Sequence, residues 1–293
     1  MKKSFVLLAT TIFVSLFLSS PKVHSQFVVD LEGPNEPIRE VICYGSSENR
    51  YFITATSGFY EYDKSGKLLK ENANYVSGAA FNSKTAEFVF KGNGEKLILS
   101  SPIKQTSKQL PVSSDYTPLS FSENGEYLLT RNREGTLQLI ETERWSVLLK
   151  RDINVGYGAV KLTDDGSRIV IGRLNRKGKN LIEVIDVPSG QTIARSAGLV
   201  SRLQSIEILH GSDKVVVSGV VSGKSGISTL DLKTLRGTQL LFALEERQGW
   251  QLMRMEEKGV FAIHNGQEQF IAFDCYSGRR LSLIHISEPT RPY

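Results

Sequence analysis

Few residues in this 293-residue chain are of types that could carry out catalysis. His24 and His285 lie in the terminal segments treated below, which leaves His210 and His264, more than 50 positions apart. A catalytic triad needs a histidine held by an acid and facing a nucleophile, and a metal site needs several grouped ligands. Neither histidine has an acidic or cysteine cluster beside it, and no G-x-S-x-G motif occurs. We therefore expect no catalytic residue and no metal ligand, and we interpret both histidines as strand-end residues near turns.

Two short motifs resemble ligand-binding loops. Ser222-Gly223-Lys224-Ser225 suggests a phosphate loop, but that motif requires glycine at position 218, which is Ser218, and a following helix. The segment 227–232 is typical of a strand instead, so we predict a hairpin tip. Asp164-Asp165 lacks the alternating acidic spacing of a calcium loop and is predicted to lie in a turn. These motifs predict no cofactor.

Cys43 and Cys275 are the only cysteines. An even number of cysteines in an exported protein raises the possibility of a disulfide. The strand assignment below places Cys43 on the first strand of a sheet and Cys275 just after a third strand. Two strand spacings amount to roughly 10 Å, beyond the roughly 7 Å Cα separation that a disulfide tolerates. Two unbridged, packed thiols are predicted.

Aromatic and basic side chains are the remaining binding candidates. Trp145 and Trp250 could line a binding face, but large side chains are also needed in a core, and packing is the favoured interpretation. Four basic residues are predicted to sit on a solvated hairpin tip: Arg173, Arg176, Lys177 and Lys179. Loops of this kind are common places for a partner to bind.

The elements that must position these residues follow a repeat. The unit 162–195 has a turn at Asp164-Asp165-Gly166, a β-branched strand, a polar hairpin tip, a second strand and a tight turn at Pro188-Ser189-Gly190. Similar units start at Asn49, Phe121, Gly211 and Lys258, with a degenerate copy from Ala86.

An acidic residue closes the second strand of each well-formed unit. These residues are Asp63, Glu141, Asp186, Asp231 and Asp274. The last three steps between them are 45, 45 and 43 residues, and the first step of 78 spans the degenerate copy. Short strands separated by turns at this period are typical of four-stranded propeller blades. No 3.6-residue helical period persists over three turns between residues 26 and 280, and a sandwich is the second choice because it would not repeat its turns at equal spacing.

The predicted fold class is therefore all-β, a β-propeller of about six recognisable four-stranded blades. The predicted blades span about 36–70, 75–110, 115–150, 157–195, 203–240 and 248–280. Each exposes two apolar faces, so neighbours must stack around an axis. We also expect the carboxylate of Asp186 or Asp274 to accept backbone N–H groups across its turn, with Gly190 and Gly278 supplying positive φ angles.

Residues 162–195 resemble the YVTN or WD-like propeller repeat. The match is carried by Asp165-Gly166 and by the run 183–190, Glu-Val-Ile-Asp-Val-Pro-Ser-Gly. No unit carries the Trp-Asp dipeptide or the Gly-His pair of the WD repeat itself. The resemblance covers most of 36–280 and implies a ring of six to eight blades in the full protein, with a binding role.

The N-terminus is typical of an export signal. Lys2 and Lys3 precede an apolar run, 6–18, that is too short to span a bilayer, and the small-residue site ends at Ser25. We expect cleavage after about Ser25 and a secreted or periplasmic mature chain without an integral membrane segment. A buried N-terminal helix is less favoured because the run has no polar face.

The C-terminal segment 281–293 is predicted to be non-native. From Leu281 to Arg291 it resembles a translated sequencing adapter, which implies a chain cut near Arg280. The last blade would then lack its outermost strand, and we expect residues 27–31 to pair there.

Charge and composition limit the function. Without residues 1–25 and 281–293 the chain carries 32 basic and 30 acidic residues, which is no nucleic-acid footprint. The predicted function is an exported, non-enzymatic scaffold that binds a protein partner or ligand, without a cofactor. The alternative is the N-terminal propeller of a larger hydrolase or protease. A quinone-cofactor propeller would need stacked tryptophans and an acidic metal site, and neither pattern occurs.

Overall fold

The computed structural model describes most of the chain between residues 38 and 285. The described ranges are 38–44, 50–55, 59–63, 67–72, 75–92, 96–101, 104–113, 115–153, 159–174, 180–197, 200–209, 211–221, 223–236, 239–243, 251–254, 260–264, 269–276 and 279–285. All regular secondary structure in these ranges is β, so the predicted all-β class is confirmed. A search of the same ranges for a helix long and apolar enough to cross a membrane finds none.

The strands form six four-stranded antiparallel sheets, each taking its strands in chain order. Sheet 1 contains β1 (Ile38–Tyr44), β2 (Arg50–Ala55), β3 (Phe59–Tyr62) and β4 (Leu68–Asn72). Sheet 2 contains β5 (Tyr75–Asn82), β6 (Glu87–Gly92), β7 (Leu97–Ser101) and β8 (Thr106–Gln109). Sheet 3 contains β9 (Tyr116–Phe121), β10 (Tyr127–Asn132), β11 (Thr136–Glu141) and β12 (Ser146–Asp152).

Sheet 4 contains β13 (Val160–Leu162), β14 (Arg168–Leu174), β15 (Asn180–Asp186) and β16 (Thr192–Ala197). Sheet 5 contains β17 (Val200–Ile208), β18 (Lys214–Val221), β19 (Lys224–Asp231) and β20 (Gln239–Ala243). Sheet 6 contains β21 (Gln251–Arg254), β22 (Val260–His264), β23 (Gln269–Asp274) and β24 (Arg280–His285). The chain divides into two compact units, Met1–Arg151 and Asp152–Tyr293, and the packing within each is described separately.

In the second unit, sheet 5 is packed on both faces. Side chains alternate between the faces of a strand, so neighbours in sequence contact different sheets. Val215 and Val217 pack with Val170 and Val184 of sheet 4. Val216, between them, packs with residues of sheet 6. Because both faces are covered, the consecutive residues 215–217 of β18 are all valine and do not alternate with polar residues.

The first unit repeats this arrangement. Val89 and Leu99 of sheet 2 share a core cluster with Leu128 and Ile140 of sheet 3. The opposite face of sheet 2 carries a second apolar cluster that includes Phe88. Sheets 2 and 3 therefore bury apolar faces against each other in this unit as well.

The first strands of consecutive sheets lie next to each other. β5 contacts β9 in the first unit, and β17 contacts both β13 and β21 in the second. At one such contact the backbone approaches closely, since a Cβ on Gly78 would lie 2.1 Å from Cγ2 of Thr117. Gly78 also has a φ of 58°, which glycine adopts without strain.

Sheet 6 differs from the sequence prediction. The last blade was expected to end at about Arg280 without its outermost strand, but Arg280–His285 forms that strand and pairs with β23 from Gln269↔His285 to Phe273↔Arg280. Backbone hydrogen bonds do not depend on side-chain identity, so a short extended segment can fill an open edge whatever its origin. The predicted signal segment 1–25, the predicted latch 27–31 and the tail residues 286–293 lie outside the described residues.

Candidate functional site

The turns between the first and second strands share one hydrogen-bonding pattern. In sheet 3 the Ser122 amide donates to the Tyr127 carbonyl at 2.9 Å, and the Gly125 amide donates to the Ser122 carbonyl at 3.0 Å. The Ser122 hydroxyl accepts from the Tyr127 amide at 3.0 Å and donates to Oδ1 of Asn124 at 2.6 Å. The Glu126 amide also donates to that Asn124 oxygen. One hydroxyl and one side-chain oxygen thus close the turn.

Sheet 4 repeats this turn bond for bond. The Thr163 hydroxyl donates to Oδ1 of Asp165 at 2.7 Å and accepts from the Arg168 amide at 2.9 Å. The Ser167 amide donates to the same Asp165 oxygen at 2.9 Å. Burial acts to raise the pKa of Asp165, but the hydrogen bonds from Ser167 and Thr163 outweigh burial and hold it below the ordinary range. Thr163 and Asp165 therefore correspond to Ser122 and Asn124.

Sheet 5 keeps only the backbone part of the pattern. The Leu209 amide donates to the Lys214 carbonyl at 3.0 Å, and the Ser212 amide donates to the Leu209 carbonyl at 3.2 Å. Leu209 has no hydroxyl to add the side-chain bonds. The backbone pattern of the turn therefore forms without a hydroxyl at its first position, and the Ser212 hydroxyl adds a bond to the Leu209 carbonyl at 3.1 Å.

Each repeat unit starts after the first strand of a sheet, so its second strand is the third strand of that sheet. The acidic residues that end these third strands cap the next turn, as the sequence predicted. Oδ2 of Asp186 accepts from the Ser189 amide at 3.1 Å and from its hydroxyl at 2.5 Å. Oδ1 of Asp274 accepts from the Tyr276 amide at 2.7 Å. Gly190 has the predicted positive φ, 67°, whereas Gly278 lies outside the described residues.

Asp231 plays the same part in sheet 5. Its Oδ1 accepts from the Lys233 amide at 3.0 Å and from the amide and hydroxyl of Thr234 at 2.8 and 2.9 Å. The Thr234 hydroxyl and these amides lower the pKa of Asp231. The carboxylate form is therefore the one that stabilises the turn.

Both kinds of turn lie at the same end of each sheet, because antiparallel strands reverse direction at every turn. We call this end of a sheet its turn end. Backbone bonds connect its two turns: the Thr142 amide donates to the Glu126 carbonyl at 2.9 Å, and the Val187 amide donates to the Ser167 carbonyl at 2.8 Å. In sheet 5 the Leu232 amide donates to the Asp213 carbonyl at 2.7 Å. The turn end is therefore cross-connected in sheets 3, 4 and 5.

Charged side chains join the turn ends of sheets 4 and 5. Arg168 contacts Oδ1 of Asp213 at 2.7 Å, and Lys233 contacts the other carboxylate oxygen at 2.8 Å. The Gly211 amide donates to Oδ2 of Asp164 at 3.2 Å. Hydrogen bonds from Lys233 and Arg168 lower the pKa of Asp213. Lys233 and Asp213 are well exposed, so a cation and an anion both face solvent here.

A buried ion-pair network lies inside sheet 4. The carboxylate of Glu183, only 4% exposed, contacts Nε of Arg173 at 2.7 Å on one oxygen and Nη2 of Arg195 at 2.6 Å on the other. Burial acts to raise the pKa of Glu183, but the bonds and charges of Arg173 and Arg195 outweigh it, and the pKa is lowered. A guanidinium nitrogen of Arg173 also donates to the Ile153 carbonyl at 3.2 Å.

This network corrects one prediction. Arg173 was assigned to a solvated basic hairpin tip, but it lies in β14 with a mostly buried side chain paired to Glu183. The rest of that predicted cluster, Arg176, Lys177 and Lys179, lies outside the described residues. A second ion pair that the sequence did not reveal joins Lys161 of β13 to Glu207 of β17. Strand register could have indicated the first network, because Glu183 lies directly opposite Arg195.

Of the candidate cysteines and histidines, the structure describes the side chain of Cys275 alone. Cys275 is buried and unbridged, as predicted, and burial and the nearby Asp274 raise the pKa of its thiol to about 12. Cys43 lies in β1 and His264 in β22, with side chains that are not described, and His210 lies outside the described residues. Among the described side chains no three His, Cys, Asp or Glu residues form a group that could hold a metal ion. Because its pKa is raised, the Cys275 thiol stays protonated at neutral pH.

Two other interpretations are confirmed. Val221 pairs with Lys224, so Gly223 lies at the tip of the β18–β19 hairpin, as predicted. Trp145 is partly buried against the apolar cluster between sheets 2 and 3, as expected of a packing residue. Trp250 lies outside the described residues.

Comparison with known proteins leaves the fold and the site as the basis for any assignment. The chain matches no model of a known protein family, and a search of curated proteins found no significant relative.

Proposed function

We propose that this chain is a β-propeller that works outside the cytoplasm as a rigid, non-enzymatic platform for a protein partner or ligand. The proposal is supported mainly by the contact of β17 with both β13 and β21 while the faces of sheet 5 pack on sheets 4 and 6. Sheets stacked face to face with their first strands adjacent are arranged as propeller blades are around an axis. The export signal predicted for residues 1–25 supports the location.

The turn ends of sheets 4 and 5, which charged side chains join, are the proposed binding face. Its turns are held by their own side chains and cross-connected through the backbone, so little conformational entropy is lost when a partner binds. The exposed pair of Lys233 and Asp213 offers both a cation and an anion for recognition. Electrostatic complementarity of this kind gives a partner specificity more than affinity.

The experiment compares two charge reversals in the full chain, expressed in an export-competent host. Mass spectrometry of the exported protein should show Gln26 as the first residue. Photo-crosslinking should then capture a partner with the wild-type chain and lose most of it with Lys233→Glu. Lys224→Glu is the matched control, because Lys224 is exposed beside the tip of the β18–β19 hairpin, at the opposite end of sheet 5. Equal capture by Lys233→Glu and the wild type would exclude the turn end as the binding face.

A further inference from the structure

The outer edge of sheet 3 differs from those of sheets 2 and 4. β12 is the last strand in the order of its sheet, so one side of its backbone is not paired in that sheet. It has seven residues and is the longest of the six fourth strands. Val147 and Leu148 are 47% and 51% exposed, and they point to opposite faces of the strand. An exposed, long and apolar edge is a template for pairing with another chain.

The fourth strands of sheets 2 and 4 offer a partner strand less apolar surface. β8 has four residues, all exposed and polar, with Lys108 among them. β16 exposes one large apolar residue, Ile193, and its sequence neighbours are the polar Thr192 and the buried Ala194. Short strands and charges are the usual ways in which proteins block edge pairing. The central residues 147–149 of β12 include no charge and no proline.

We propose that β12 pairs with β12 of a second copy of this chain in an antiparallel, two-fold symmetric ladder centred on Leu148. In this register Leu148 faces its own copy, Val147 faces Leu149, and Ser146 faces Lys150. Apolar residues meet apolar residues, and no like charges face each other. The two sheets 3 become one eight-stranded sheet across the interface.

The sequence of β12 favours a second copy as the occupant. A two-fold axis requires a surface that is complementary to itself, and residues 146–150 meet that condition in the antiparallel direction. A parallel ladder in register would place Lys150 against Lys150 and would not close by two-fold symmetry. Opposed like charges destabilise a strand pair. The antiparallel pairing also covers the exposed side chains of Val147 and Leu148 on both faces of the strand.

Sedimentation velocity of the full chain over a concentration series tests the proposal. The wild type is expected to be a dimer at micromolar concentration. Leu148→Lys and Leu148→Glu should each weaken association by about tenfold or more, since each places like charges on the symmetry axis. Mixing the two variants should restore a dimer, because the lysine of one copy then faces the glutamate of the other. Ile193→Lys, at a similarly exposed apolar site of β16, should leave the dimer unchanged.

Any one of the following three results would overturn the proposal. A wild-type chain that stays monomeric to about 100 μM has no such interface, even if its β12 edge binds a foreign strand peptide. A Leu148→Lys chain that remains dimeric places the interface elsewhere. Two charge variants that fail to recombine exclude a register with Leu148 on the axis. Circular dichroism of every variant shows whether the fold is retained.

Discussion

β11 and β12 are neighbours in sheet 3 and have opposite environments. Five of the six residues of β11 are buried, whereas none of the seven residues of β12 is fully buried. Third strands in sheets 4 and 5 are buried in the same way, at five positions each. The difference teaches that burial in this molecule depends on a strand's position within its sheet. Interior strands are constrained on both faces, and fourth strands are free to vary or to bind.

The largest expected effect compares the same substitution on these two strands. Leu139→Ala on β11 removes a fully buried side chain and leaves a cavity, which costs about 3 kcal/mol of unfolding free energy. Leu148→Ala on β12 removes a side chain that is half exposed in the single chain, and at concentrations too low for dimer formation it should change that free energy by less than about 0.5 kcal/mol. Urea denaturation of the two variants checks the difference. Equal losses would mean that β12 is covered as well as β11.

A smaller effect is expected at the buried carboxylate of Glu183, which has two arginine partners. Glu183→Gln leaves Arg173 with an unpaired, mostly buried charge and should cost about 2 kcal/mol at neutral pH, less than a fully buried pair because Arg195 is 57% exposed. Arg195→Gln is the matched control and should cost less, since its side chain is mostly in solvent. Thermal or urea denaturation measures both.

The carboxylate of Glu183 should also make the free energy of unfolding depend on pH. Because the pKa of Glu183 is lower in the folded chain than in the unfolded chain, its stabilisation is complete above the unfolded pKa, about 4.3, and is lost as the pH falls through the folded value. The difference in stability between the wild type and Glu183→Gln should therefore shrink below about pH 4. A difference that stays constant across that range would show that the carboxylate charge contributes nothing.

Much of the local structure was predictable because it depends on residues close in sequence. The spacing of the acidic residues and the turn glycines indicated the strands, and Asp186 and Asp274 cap their turns as expected. The buried pairing of Glu183 was missed because it joins three strands, and only their register brings the arginines to the carboxylate. β24 was not predicted because residues 281–293 were interpreted as non-native. The open edge of β23 can pair with any extended segment, because the pairing uses backbone groups.

The smallest expected effect concerns the turn between the first and second strands, which starts with a hydroxyl residue in sheets 3 and 4 but with leucine in sheet 5. Thr163→Val keeps the shape of the side chain and removes the hydroxyl that bonds to Asp165 and to the Arg168 amide. We expect a loss of about 1 kcal/mol, since one buried hydroxyl and its partners lose their bonds. The turn itself should persist, because Leu209 shows that its backbone bonds form without a hydroxyl. The pKa of Asp165, followed by NMR titration, should rise toward its ordinary value as one of its donors is lost. An unchanged Asp165 pKa together with unchanged stability would mean that the backbone alone holds this turn, in sheet 4 as in sheet 5.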